Sequence, residues 1–447
     1  MKSVRQKVFL LFSVLIFHFS SFPSTIQAQS TLTLDTSMSV AETWTDNLFF
    51  TFSNKQDDFG TIINARIALD YESKYVVMRG VYSPTGQIYV NNSSANTFNH
   101  GSDLDFDLPF LTKRFKRIEV KFDESFNIAT QLPAFSANSP RGSGAIRSQG
   151  TSGPVGALLQ GAGGGLGGIG GVGGVAGNSL GNQGIFTNRS TTAIQNRAGV
   201  RVRYLLTESI TPFLNYTNNY YKFTSSGGQD SLGHTLRTGS AYQATARTEL
   251  NGFYQIQLIE FMGSGSTALQ GPGGSGSTTS HSVGMGVHHD LTPTLQVTVD
   301  GAATLTETEV SSGQLNFIGG GNISKQFPDG QIALRLTQQI GSGGGLAASS
   351  TLSQNAVLTF SKVLTRYISG YADFGYGRNR SLSGATVKTD TYQIRTGVSV
   401  TILSWLFGSV SYSYANQDST GTFGNTAQSN QVFFGLTATA PSWRILK

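Results

Sequence analysis

There is no cysteine in this chain, so it holds no disulfide framework, zinc-thiolate site or thiol nucleophile. Charge is also scarce. Asp, Glu, Lys and Arg make up 13% of the 447 residues, about half the share usual in soluble domains. Beyond the N-terminal segment there is no continuous apolar run of the ~20 residues that a spanning helix needs, so any later membrane span must be β. Nor is there a strand before, or a helix after, the Gly-rich G-x-G-x-x-G matches, so dinucleotide binding is excluded. No nucleophile elbow G-x-S-x-G stands in a supporting context, and no catalytic residue is assigned. No cofactor is expected.

The N-terminus reads as a secretory signal over 1–28. Lys2, Arg5 and Lys7 give a basic start, and Val8 to Phe19 give a short apolar core. Ile26 and Ala28 sit at positions −3 and −1 of a cut before Gln29. The formal charge of +6 then falls to about +3, too weak to indicate nucleic acid.

What the chain does have is alternation. In Thr389 to Ala415, Tyr392, Ile394, Val398, Val400 and Ile402 occupy every second position. Arg395, Gly397, Ser399 and Thr401 lie between them. After a turn at Ser404, Val410, Tyr412 and Tyr414 alternate with serines. A period of two puts apolar groups on one face of a strand and small or polar groups on the other. The polar face lacks the bulk of a sandwich core. Similar runs recur from Leu34 to Ala438.

Eight short connections, at Ser73, Lys113, Thr207–Ile210, Asn251, Thr292-Pro293, Pro328-Asp329, Thr365-Arg366 and Leu403-Ser404, are expected to alternate strictly with longer Gly/Ser/Asn/Thr-rich ones. Pro84-Thr85-Gly86 is read as the end of a strand, and Leu104 to Phe110 as a strand despite Pro109. Leu236–Leu250 is read as one strand. The fold expected over 29–447 is all-β: a transmembrane antiparallel up-and-down barrel of about 18 strands. Its turns are short and periplasmic, and its outer loops are longer. Sixteen strands follow if the Pro109 strand and its neighbour leave the wall. An insert over 132–190, mostly glycine from Gly161 to Gly177, is expected to be mobile unless something packs on it, inside or outside the barrel.

Charged side chains in such a wall should face water. The pore-lining candidates are therefore Arg66, Asp70, Arg79, Glu119, Lys121, Asp123, Arg201, Arg203, Arg237, Arg247, Glu249, Arg335, Asp373 and Arg395. Their arginine excess predicts a preference for anions; alternatively they pair across strands and brace the wall. His288-His289-Asp290 has the composition of a metal cluster, but neighbouring strand residues diverge, so no metal is assigned. Tyr71, Tyr75, Tyr204, Phe213, Tyr367 and Trp405 fit interfacial girdles. Tyr220 and Tyr221 are read as girdle in preference to a sugar path.

The segment Ser39-Val40-Ala41-Glu42-Thr43-Trp44-Thr45-Asp46-Asn47 resembles the β-barrel porins encoded with exopolysaccharide export and PEP-CTERM systems of Gram-negative bacteria. Their mature N-terminus carries an E-T-Y-T-D-N-like motif. The insert after Gln131-Leu132-Pro133-Ala134-Phe135 and the hairpins at Leu206-Thr207, Leu291-Thr292 and Leu364-Thr365 are similar to theirs too. Trp44 departs from the usual tyrosine, and the chain ends at Lys447 without a terminal aromatic. The resemblance implies an outer-membrane channel for small solutes or polysaccharide. The expected partners are outer-membrane lipid and lipopolysaccharide, the barrel assembly machinery and exopolysaccharide export components, with no nucleic acid. The alternative is a non-conducting structural or adhesive barrel whose outer loops bind partners or glycan.

Overall fold

The computed structural model describes residues 30–115, 117–131, 191–224, 230–262, 276–308, 311–341, 350–382, 388–420 and 425–446. The signal segment 1–28 and the insert 132–190 lie outside the described residues.

The strands are β1 (Thr31–Thr45), β2 (Asp58–Glu72), β3 (Val77–Tyr89), β4 (Thr97–Asp107), β5 (Ile118–Gln131) and β6 (Thr191–Tyr204). Next come β7 (Ile210–Phe223), β8 (Asp230–Thr245), β9 (Thr248–Met262), β10 (Gly276–Thr292), β11 (Leu295–Thr308) and β12 (Ser311–Phe327). The last are β13 (Gly330–Gly341), β14 (Thr351–Thr365), β15 (Ile368–Ser381), β16 (Lys388–Leu403), β17 (Leu406–Thr420) and β18 (Asn425–Thr439). Each pairs antiparallel with its neighbour in sequence. β1 pairs with β18 from Ser37↔Thr439 to Thr45↔Gln431, which closes the sheet. A short β19 (Trp443–Leu446) continues that seam along Leu32 to Leu34 of β1. The wall is thus an 18-stranded up-and-down barrel, a size that leaves an aqueous bore.

Closure decides which face is which. Side chains on the concave side converge and shield one another, whereas those on the convex side spread apart. Thr278, Ser280, Ser282, Thr304 and Thr306 are buried and face inward. Val283, Met285, Val299 and Leu305, on the same strands, are exposed and face outward. Ile63 and Val400 lie on the outward face as the alternation requires. An exposed apolar exterior over a polar interior is the reverse of a soluble protein and suits a lipid solvent. Tyr75, Tyr204, Tyr242, Phe327, Tyr367 and Trp405 mark the outside of the short-turn rim. Phe59, Phe98, Phe317, Tyr392 and Phe434 mark the outside of the other.

The Leu-Thr hairpins have a local cause. Thr365 Oγ1 accepts the backbone N–H of Tyr367 and Ile368, and Thr207 Oγ1 accepts those of Ser209 and Ile210. Ser73 Oγ does the same for Tyr75 and Val76. A hydroxyl at the first turn position meets donors that the ladder leaves open.

Five sequence expectations are corrected. Pro109 begins a helix, α1 (Pro109–Phe115), in place of a strand continuation. Proline is acceptable at a helix start, where its missing N–H is not needed. Pro84 does not end a strand, because β3 runs through it. The β2–β3 ladder lapses between Asn64↔Thr85 and Ile67↔Tyr82, so the absent donor costs no bond there. Leu236–Leu250 is two strands that turn at Ala246-Arg247, and Asn251 is buried within β9. Phe213 faces inward and is buried, away from either girdle. Finally, turn lengths do not alternate strictly. The β4–β5 connection at the short-turn end holds α1, while β11 and β12, at the other end, are only two residues apart.

Three outward-facing histidines each have a tyrosine hydroxyl diagonally across the ladder. Tyr82 pairs with His100 (2.8 Å), Tyr216 with His234 (2.8 Å) and Tyr254 with His281 (2.7 Å). In all three the rings lie nearly parallel with centroids 6.1–6.2 Å apart. Each pair satisfies two polar groups that would otherwise meet hydrocarbon alone.

Candidate functional site

The bore is the candidate site, and its charge is arranged in columns. On β4, Asp103, Asp105 and Asp107 sit at alternate positions on the inward face, because Leu104 and Phe106 point to lipid. On β6, Arg197, Arg201 and Arg203 face inward between Val200, Val202 and Tyr204. Between them β5 presents Glu119, Lys121 and Asp123. The acidic and basic columns are two strand spacings apart, about 9–10 Å.

The register turns these columns into rows around the bore. One row reads Asp70, Arg79, Asp105, Asp123, Gly199. The next reads Asp107, Lys121, Arg201, Asn215, Arg237. Glu119 stands opposite Arg203. Arg79 Nε donates to Asp70 Oδ1 at 2.7 Å, and Lys121 Nζ lies 3.5 Å from Asp107 Oδ2. Both pairs are partly exposed, so each contributes less than ~1 kcal/mol to stability.

Arg237 differs from these. It is only 8% exposed, and its guanidinium lies 3.5 Å over the Phe253 ring. Its Nε and Nη2 meet no hydrogen-bond acceptor in the described protein. Nor do Arg201 Nε, Asn215 Oδ1 and both amide atoms of Asn251 find protein partners. These residues lie on four adjacent strands, β6 to β9. Asp300 on β11 is the carboxylate whose field reaches Arg237. Unmet buried donors cost about 1–3 kcal/mol each, so this cluster favours a hydrogen-bonding occupant of the bore. The backbone admits the large rings through glycine. A Cβ on Gly239 would meet Phe213 Cζ at 2.8 Å, and one on Gly397 would meet the Tyr371 ring at 2.7 Å. These inward aromatics lie flat on the wall only because the facing residue has no side chain.

The other candidates are placed as follows. Arg66 faces inward on β2 within the field of Asp35, Asp70 and Asp103. Arg335 faces inward on β13, between Asn322 and Val357. Asp373 and Arg395 stand directly opposite each other. Glu249 faces inward near the short-turn rim, opposite His288. Arg247, expected in the wall, occupies the β8–β9 turn instead. His288 and His289 diverge. His288 points inward to Thr298 (2.9 Å) and Asp290 (3.5 Å), and His289 points outward to Thr248 (2.9 Å). Tyr221 faces inward and is buried against Gln195, whereas Tyr220 lies on the outward face.

Sequence reasoning missed Asp103, Asp105, Asp107, Arg197, Asn215, Asn251 and Asp300. Parity against Leu104 and Phe106 would have found the three aspartates. They offset the arginine excess drawn from the shorter set.

No family model matches the sequence, and no curated protein matches it. Among solved structures, the chain is similar to OccAB2 of Acinetobacter baumannii, at 9% identity and a TM-score of 0.43, covering 95% of this chain and 100% of that one. It is also similar to the outer membrane protein OpdK of Pseudomonas aeruginosa, at 9% identity and 0.42, covering 92% and 99%. A third is OccK2 (OpdF) of Pseudomonas aeruginosa, solved in complex with glucuronate, at 10% identity and 0.42, covering 91% and 98%. The closed register described above stands independently of these likenesses.

Proposed function

We propose that this protein is a passive channel for small solutes in the outer membrane of a Gram-negative bacterium. The observation that carries the reading is the pairing of β1 with β18, which shuts an 18-stranded wall with apolar groups outside and polar groups inside. Such a wall has no use in water, and its bore admits hydrated solutes. Anions are preferred along β6 to β8. There Arg201 and Arg237 hold donors without protein acceptors, while Asp70 and Asp107 on the acidic side are met by Arg79 and Lys121. Passage of polysaccharide and a link to export components are a finer reading, supported by the resemblance of the Glu42 to Asn47 segment. Insertion by the barrel assembly machinery belongs to the same reading, and the closed antiparallel wall supports it.

The test is planar-bilayer recording on refolded full-length protein. Stepwise conductance with a reversal potential favouring anions in a salt gradient is expected. A barrel that inserts without conducting would replace this reading with the adhesive one, and cation preference would remove the role given to β6–β8.

A further inference from the structure

The long-loop rim carries a cluster of cations on its lipid side. Along the outward face of β15, Phe374 is followed by Tyr376, Arg378 and Arg380. Along β16, descending from the rim, come Lys388, Asp390, Tyr392 and Ile394. Tyr376 and Tyr392 lie side by side with ring centroids 5.1 Å apart, at the level of the girdle. The cations start one outward position beyond them. Arg378 Nε donates to Asp390 Oδ1 at 2.6 Å, and Lys388 Nζ lies 3.0 Å from Asp390 Oδ2. Asp418 on β17, opposite Asp390, is the other carboxylate nearby, and it accepts the Thr426 hydroxyl. Three cations therefore face two carboxylates.

The register sharpens the point. Arg380 stands directly opposite Lys388. Like charges at facing positions repel, and an anion bound between them would relieve that repulsion. Elsewhere on this rim the outward wall carries acids, with Glu42, Glu260 and Glu307 on β1, β9 and β11. Lys222 is the one other outward cation there among the described residues.

We infer that Arg378, Arg380 and Lys388 form a binding site for the phosphate groups of an outer-leaflet glycolipid. The inference rests on the outer-membrane reading. It commits to a lipid because the cations lie on the convex face, directly above the aromatic girdle, where headgroup phosphates stand. They lie neither in the bore nor on a loop tip. Arginine and lysine are the residues that hold phosphate by charge-assisted hydrogen bonds. Asp390 accepts from Arg378, Lys388 and the Tyr376 hydroxyl (2.9 Å), so it holds two of the three cations beside the Tyr376 ring and competes with a phosphate for them.

The experiment uses the full-length protein in neutral detergent, with bis-phosphorylated lipid A as probe and native mass spectrometry as readout. Folding is checked by heat-dependent gel migration, and pore formation by bilayer conductance. Wild type should retain lipid A, and R380Q/K388Q should retain it at least tenfold more weakly with conductance unchanged. D390N, which frees two cations, should bind more tightly; it keeps the proposal testable should the double variant not fold. Equal retention by wild type and R380Q/K388Q would overturn the site, as would weaker binding by D390N. Full displacement of lipid A by millimolar inorganic phosphate would show a free-anion site and overturn the lipid assignment. Loss of conductance in wild type would instead strike the channel reading alone.

Discussion

Val398→Arg places a charge in the middle of the outward belt. Val398 is 41% exposed and stands opposite Val410, itself outward-facing. On β16 the apolar face runs from Tyr392 at one girdle to Ile402 near the other, ten residue steps in all. At ~3.3 Å per step and a tilt of ~40°, that is about 25 Å, the height of a lipid-facing band. Val398 sits near its centre, where an arginine costs about 2–4 kcal/mol, while at Ile402 the same change costs about 0–1 kcal/mol. Gln393→Arg, on the inward face of the same strand, should cost less than about 1 kcal/mol because the new side chain meets water. The unfolding equilibrium should therefore shift by a factor of roughly 30 to 1,000 for Val398→Arg, and by less than about 10 for the other two. Reversible denaturant unfolding in short-chain lipid vesicles, followed by tryptophan fluorescence, measures this. Equal costs at Val398 and Gln393 would refute the assignment of faces, and equal costs at Val398 and Ile402 would refute the depth.

Gly397→Val drives a side chain into the Tyr371 ring, and about 1–3 kcal/mol of overpacking is expected. Adding Tyr371→Ala should relieve that clash, so a double-mutant cycle in the same unfolding assay should show coupling. His281→Leu strands the Tyr254 hydroxyl in lipid and should cost about 1 kcal/mol, whereas His281→Leu with Tyr254→Phe should regain part of it. Arg237→Gln should lower the anion-to-cation permeability ratio read from reversal potentials; an unchanged ratio would show that the bore's selectivity lies elsewhere.

Much of the fold was legible because a period of two survives in any single strand. Ile394, Val398, Val400 and Ile402 declare their face without help from neighbours. The errors arose where a local cue was absent or misleading. The β8–β9 turn at Ala246-Arg247 has neither glycine nor proline. The register also shifts between Gln243 and Thr245, so Tyr242 and Leu250 face the same side and alternation passes unbroken through the turn. Pro84 and Pro109 look alike in sequence, yet one sits at a lapse in a ladder and the other starts a helix. That difference depends on β2, which lies outside the local window. The charge columns of the bore were only half legible. Parity gives the face of Asp105, but its place beside Arg79 and Asp123 is a property of register, which no single strand encodes.

The seam between β1 and β18 joins residues almost four hundred positions apart, as the Thr45 and Ser429 hydroxyls show at 3.1 Å. A ribosome finishes one lip of that join long before it makes the other. Until the last strand arrives, the nascent wall keeps two raw margins, each a template for a stray chain. On the outer-membrane reading, passage across the periplasm would call for an escort for the whole polypeptide, and a deletion that removes β1 or β18 should leave a sheet that cannot zip shut.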